Sequence, residues 1–280
     1  MRMGAPPLRS VGCPVVVVLM LGWAQPAHAH SAVTATEKVR LKDTTSETLT
    51  IRGHKQTLHI YGSRNGDPVI LSSGDGGWIH LAPHVAELLA QFGYRVIGFD
   101  ARAYLSSFTS DAGTLEPDDV INDYVTLIKY ASQAGKRSPL LIGVSEGAGL
   151  SVLAGTGKQI KPLIDGVIGV GLGNMNELGW RWTDATIYLT HHLPHEPLFS
   201  VIALVDRLAP VPLALIHSLH DEYAPAADAD RIVHAATGPA RLWTINATNH
   251  RFEGNIGEFD RRLMEVIEWV NAHQPASLRR

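Results

Sequence analysis

Six short apolar runs recur between residues 68 and 247, and they limit the possible folds more than any other feature of the chain. Their sequences are PVILS, RVIGFD, PLLIGV, DGVIGVG, PLALIH and LWTINA, rich in Val, Ile and Leu. Strands buried on both faces have this composition, because neither face alternates with polar residues. The runs therefore predict a mainly parallel sheet that is covered on both sides.

Residues with helical spacing separate several of these runs. Apolar stripes extend from Val85 to Phe92, from Val120 to Ala131 and from Phe259 to Val270, and each predicts an amphipathic helix. Residues 34–63, by contrast, contain KVRLKD, TLTIRG and TLHIYG, which alternate apolar and polar side chains as half-buried strands do. An antiparallel start followed by strand–helix alternation predicts an α/β-hydrolase fold with a doubly wound sheet.

The first 29 residues have the order of a secretory signal peptide. Two arginines precede the apolar stretch VGCPVVVVLMLGWA, and Ala27–His28–Ala29 forms a small-x-small cleavage signal. A membrane anchor is the alternative, but the stretch is short for a span and contains Pro14. We predict a signal peptide at 1–29, a hydrolase domain at 30–280 and a periplasmic or secreted location.

Composition narrows the partners of the mature chain. The sequence has 24 basic and 27 acidic residues, a net charge of −3, which argues against nucleic acid as a partner. It provides no general attraction to an anionic membrane, although a local basic patch would permit peripheral contact with membrane lipid. No obligate protein partner is predicted. The single cysteine, Cys13, lies in the leader, so the predicted mature domain has no disulfide.

The sequence GVSEG places Ser145 between Gly143 and Gly147, where a buried strand is predicted to end and a helix to begin. This is the pattern of a nucleophile elbow, in which larger neighbours would clash with adjacent strands. A tight turn that happens to contain a serine is the alternative. The carboxylate of Glu146 is expected to favour the N-terminus of the following helix.

A nucleophilic serine needs a base and a group that orients the base. The α/β-hydrolases place these groups in the order Ser, Asp or Glu, then His, each beyond a strand end. Here Asp221 follows PLALIH and His250 follows LWTINA, in the required order. The sequence thus predicts Ser145, Asp221 and His250 as the catalytic triad. Glu222, next to Asp221, is the alternative acid.

The loop SSGDGGW, after the run PVILS, is predicted to supply an oxyanion donor. Its glycines allow close approach of backbone to substrate. We assign one amide to Asp75 or Gly76, which the sequence does not distinguish, and the other to Glu146. No cofactor and no metal are predicted, because His191, His192 and His195 lack carboxylate–histidine spacing.

Residues 174–210 interrupt the strand–helix alternation and are predicted to form a cap with its own short helices. Segments this long within a compact domain are usually functional. Trp180 and Trp182 of the cap are candidate substrate-binding residues. Trp78, which ends the glycine-rich loop, is a further candidate, although it is expected to pack in the core or in a pocket wall rather than to contact substrate specifically.

Several segments resemble the VirJ/AcvB family of periplasmic bacterial α/β-hydrolases. They are SSGDGGW, GYRVIGFDARAYL, EPDDVINDYVTLIKY, GVSEGAG and NHRFEGN. The resemblance begins near Gly66 and is poor in the cap. It implies the same triad and removal of lysine or alanine esterified to a phospholipid headgroup. Glu146 and Gly149 stand where the family elbow, GYSFGAD, has Phe and Asp, and DARAYL places its arginine differently.

These features predict a serine hydrolase that cleaves carboxylic esters through an acyl-enzyme, with aminoacyl-phospholipids as the substrates implied by resemblance. A general carboxylesterase or thioesterase for small acyl substrates is one alternative. A non-catalytic binding protein of the cell envelope with a hydrolase fold is another.

Overall fold

The computed structural model describes Met1 and residues 44–133, 137–186 and 196–275. Within these ranges the strands are β1 (Thr45–Ile51), β2 (His54–Tyr61), β3 (Asp67–Ser72), β4 (Tyr94–Phe99), β5 (Leu140–Val144), β6 (Gly166–Val170), β7 (Met175–Glu177), β8 (Leu198–Ser200), β9 (Leu213–Ser218) and β10 (Ala240–Ile245). The helices are α1 (Leu81–Gln91), α2 (Ala101–Phe108), α3 (Pro117–Ser132), α4 (Glu146–Gly155), α5 (Ala226–Ala235) and α6 (Ile256–Ala272).

Some predictions fall outside these ranges. They concern the signal peptide, the run KVRLKD, and His191, His192 and His195. Within the described ranges, no helix combines the length and apolar composition needed to cross a bilayer.

Eight of the strands form one sheet in the order β1-β2-β4-β3-β5-β6-β9-β10. β2 pairs antiparallel with both β1 and β4, whereas the pairs from β4 to β10 are parallel. Each of the six apolar runs overlaps one of the parallel strands. The sequence therefore predicted both the antiparallel start and the parallel body of this sheet correctly.

Helices cover both faces of the sheet, as β3 at its centre shows. Ile70 and Leu71 are neighbours whose side chains point to opposite faces, and both are fully buried. Ile70 belongs to a core cluster that includes residues of α2, α3 and α4. Leu71 belongs to a second cluster that includes residues of α1 and α6. Burial on both sides explains why these strands are apolar along their whole length.

Two helices were missed by the sequence reasoning. α2 begins after Asp100, whose side chain accepts a hydrogen bond from the Ala103 amide at 2.9 Å, a normal N-cap. An Asp before an apolar stripe is a usable signal there, although the helix has only eight residues. α5 buries only Ala229 and Ile232, too few apolar positions to form a clear stripe.

The predicted cap differs from expectation in its secondary structure. β7 and β8 form a separate antiparallel pair, and short 3-10 helices lie at Trp182–Thr186 and Val205–Leu208. The pair was not expected, because strands of three residues are too short to show a period of two. Residues 187–195 of the cap lie outside the described part of the chain.

Candidate active site

Ser145 lies at a sharp turn between β5 and α4 and has a φ of 52°. This left-handed conformation is strained for a residue with a side chain. Both flanking glycines are needed: a Cβ on Gly143 would overlap the Gly147 carbonyl, and one on Gly147 would overlap the Ser73 carbonyl. The elbow thus exposes one serine hydroxyl at the carboxyl end of a central strand.

The second and third predicted triad residues contact each other directly. His250 Nδ1 lies 2.6 Å from Asp221 Oδ2. The other oxygen of Asp221 accepts hydrogen bonds from the amides of Tyr223 and Ala224, at 3.0 and 2.8 Å. Burial alone would raise the pKa of Asp221, but its hydrogen bond to His250, the charge of His250 and these amides lower it instead. The carboxyl is therefore held as a carboxylate against the imidazole.

Glu222, the alternative acid, has a different contact. Its Oε2 accepts a hydrogen bond from the backbone N–H of His250 at 2.8 Å. Glu222 therefore anchors the loop that carries the histidine, whereas Asp221 contacts the ring. This geometry favours Asp221 as the orienting acid.

Ser145 and His250 line one cavity of about 330 Å³. The glycine-rich loop borders it, since a Cβ on Gly74 would lie 3.8 Å from Ser145 Oγ. Asp75 and Gly76 also line this cavity, and the choice between their amides stays open. Ser145 Oγ and His250 Nε2 form no hydrogen bond with each other in this conformation of the described residues, as is common before substrate binds.

Two carboxyl groups lie close together in the cavity wall. An oxygen of Glu146 accepts a hydrogen bond from the backbone N–H of Glu177, and both residues line the cavity. Glu177 is 4% exposed, and its Oε2 has no hydrogen-bond partner among the described residues. Sequence reasoning missed Glu177, because nothing in the sequence links position 177 with position 146.

Burial raises the pKa of both carboxyl groups in this pair. Burial, and then the nearby charge of Glu177, raise the pKa of Glu146 well above its usual range. Burial, and then the charges of Asp75, Asp184 and Glu196, raise the pKa of Glu177 to about 8. Glu146 was expected to place a negative charge at the start of α4. Loss of solvation opposes that charge, since it raises the pKa of the Glu146 carboxyl, and the expectation stays a prediction.

The raised pKa of Glu177 predicts a pH-dependent stability. A folded-state pKa of about 8, against 4.5 for the free group, means that the folded protein binds more protons between these values. Stability should therefore fall as pH rises through this window. We expect Glu177→Gln to raise the melting temperature at pH 8 by about 2–6 °C and to change it little near pH 4.5.

Thermal unfolding between pH 4.5 and 8 measures this effect. Glu87→Gln removes a carboxyl group from an exposed position on α1. It should therefore leave the slope of melting temperature against pH as it is in the wild type. A Glu177→Gln protein with the wild-type slope would contradict the titration of a buried carboxyl.

The three tryptophans predicted to bind substrate are not among the residues that line the cavity. Trp78 packs against Gly98 and stacks on His59 with ring centroids 4.8 Å apart. Trp180 is 8% exposed and belongs to the core, whereas Trp182 is 82% exposed. Their role in substrate binding stays a prediction. The Trp180 ring packs against Arg102, and Arg102 lines the cavity.

The strand order and the serine elbow define an α/β-hydrolase fold, and solved structures confirm this class. Est1E from Butyrivibrio proteoclasticus is similar with a TM-score of 0.60 and 13% identity, over 81% of this chain and 99% of that chain. A serine hydrolase involved in carbazole degradation (CarC) has a TM-score of 0.58 and 16% identity, over 81% and 99%. A membrane phospholipase A, a novel bacterial virulence factor, has a TM-score of 0.57 and 11% identity, over 81% of this chain and 86% of that chain.

Residues 67–162 match the family described as Bacterial virulence protein (VirJ), which confirms the resemblance seen in the sequence. The matched residues include the glycine-rich loop and the serine elbow, whereas NHRFEGN lies beyond them. No curated protein matches the chain.

Proposed function

We propose that the protein is a serine hydrolase that cleaves carboxylic esters through an acyl-enzyme. The observation that carries this proposal is the 2.6 Å contact between His250 Nδ1 and the buried Asp221 Oδ2, beside the cavity that both His250 and Ser145 line. A serine at a strained elbow, a histidine and a buried carboxylate are the parts that acyl transfer requires.

Each residue has a defined step in this mechanism. Ser145 Oγ attacks the ester carbonyl carbon while His250 Nε2 takes the hydroxyl proton. Asp221 accepts the Nδ1 hydrogen bond, which fixes the tautomer and stabilises the imidazolium. The amide of Glu146 and that of Asp75 or Gly76 donate to the oxyanion.

The end of acylation and the whole of deacylation use the same groups. His250 gives its proton to the departing alcohol, which leaves the acyl group on Ser145. Water, deprotonated by His250, then attacks the acyl-enzyme, and the acid is released with Ser145 reprotonated.

The carboxyl pair supports aminoacyl esters as the substrate. Glu146 and Glu177 lie beside the nucleophile, and a protonated amine on the acyl group would hold them as carboxylates through charge-assisted hydrogen bonds. The resemblance to the VirJ family supports the same class, with a phospholipid headgroup as the alcohol. The signal peptide predicted at residues 1–29 would place the reaction in the periplasm or outside the cell.

A panel of paired esters tests both ester hydrolysis itself and the preference for aminoacyl esters. Alanyl and propionyl esters of the same alcohol differ only in the amine, and we expect a kcat/KM at least about tenfold higher for the alanyl ester. Equal values would favour a general carboxylesterase. Hydrolysis of neither ester, nor of a matched thioester, would favour a non-catalytic binding protein.

A further inference from the structure

Arg102 is a cation in the cavity that the mechanism above does not use. It lies in the first turn of α2, its side chain is half-buried, and it lines the same cavity as Ser145. The resemblance drew attention only to the changed position of this arginine in DARAYL. Its surroundings indicate a function.

The guanidinium of Arg102 lies between two supports. On one side is the Gly77 backbone, where an added Cβ would come within 2.9 Å of Nη2. On the other side is the Trp180 ring, whose centroid lies 5.5 Å from Cζ, a cation–π distance. Trp180 is itself fixed in the core. The side chain is thus ordered before any ligand arrives, which reduces the entropy lost on binding.

Arg102 donates no hydrogen bond and forms no ion pair in the part of the chain that the structure describes. Two other arginines contrast with it: Arg52 contacts Asp123 at 2.8 Å and Arg181 contacts Glu196 at 2.5 Å. A guanidinium has five N–H donors in a planar array that matches a carboxylate or phosphate. An ordered, half-buried guanidinium without a carboxylate therefore leaves these donors for a ligand.

We propose that Arg102, Gly77 and Trp180 form an anion-binding subsite that positions a phosphate group of the ester substrate. The subsite rests on the proposed function, since it shares the cavity with the nucleophile. The cavity then has two kinds of polar site: Glu146 and Glu177 provide carboxyl groups, and Arg102 provides a cation. An ester that carries both an amine and a phosphate would match both.

Binding without turnover tests the subsite independently of catalysis. Ser145→Ala protein is titrated with inorganic phosphate and with glycerophosphoglycerol, and the melting temperature is followed. We expect Arg102→Gln in this background to weaken binding by about 10–100-fold. Arg64→Gln, an exposed charge between β2 and β3, is the matched control and should bind as the parent does.

The two probes distinguish the source of the phosphate. Binding of glycerophosphoglycerol alone supports a lipid headgroup, and binding of both supports any phosphate group. Binding of neither, or equal binding by Arg102→Gln, overturns the subsite.

Kinetics separate the subsite from a structural role of Arg102. Two esters share one acyl group, and only one carries a phosphate on its alcohol. Arg102→Gln should lower kcat/KM for the phosphate ester by about 10–100-fold and change it for the neutral ester by less than about threefold. Equal losses on both esters would overturn the proposal. If the wild-type protein hydrolyses neither ester, the proposed function fails, while the binding titration still decides the subsite.

Discussion

Ser145→Ala is expected to lower kcat for ester hydrolysis by about 10⁴–10⁶-fold, the range found when a triad nucleophile is removed. The reason is that alanine offers no oxygen to form the acyl-enzyme, so only binding and oxyanion contacts remain. Steady-state hydrolysis of the alanyl ester measures the loss. A fluorophosphonate probe should label the wild-type protein once, on the peptide that contains Ser145, and should not label the variant.

The fold should survive this substitution. The side chain of Ser145 makes no capping hydrogen bond to α4, so alanine removes only the hydroxyl, and we expect a melting temperature within about 3 °C of wild type. Ser151→Ala changes another serine of α4 and should keep the probe label. Labelling at a different residue, or hydrolysis retained by Ser145→Ala, would exclude Ser145 as the nucleophile.

Asp221→Asn is expected to lower kcat by about 10³–10⁴-fold. The asparagine oxygen still accepts from the amides of Tyr223 and Ala224, which in the wild type lie 3.0 and 2.8 Å from Oδ1. Its amide nitrogen, however, would face His250 Nδ1 as a donor. The imidazole would then carry its proton on Nε2, where it cannot accept the proton of Ser145. The same ester assay measures the loss.

Glu222→Gln is the matched control for this prediction. Glutamine keeps an oxygen that can accept the His250 backbone N–H, a bond of 2.8 Å in the wild type, so activity should stay within about tenfold. A loss as large as that of Asp221→Asn would assign the orienting role to Glu222 instead.

The parallel sheet was predictable because strands buried on both faces are continuous apolar runs in the sequence. All five residues of β5 are buried, and so are all six of β9, so each strand is an apolar run that needs no knowledge of its neighbours. The candidate triad was predictable for a related reason. Its members follow strand ends, and parallel strands bring their carboxyl ends to one edge of the sheet.

The carboxyl pair and the unpaired arginine were not predictable, because each depends on contacts made across the fold. Glu146 and Glu177 are 31 residues apart, and they meet only because the chain returns from β6 to form β7 over the elbow. Arg102 and Trp180 are far apart in sequence as well. Trp180 was expected to contact substrate as an aromatic residue of a cap, which stays a prediction, whereas its packing in the core was not expected.

The buried carboxyl pair has a consequence for the heat of substrate binding. At neutral pH Glu177, with a pKa of about 8, holds a proton. An ammonium group that entered the cavity would displace protons from the pair into solvent. Binding would then be linked to buffer ionisation. The enthalpy measured by calorimetry would change between HEPES and Tris by the difference in their ionisation heats, multiplied by the number of protons released.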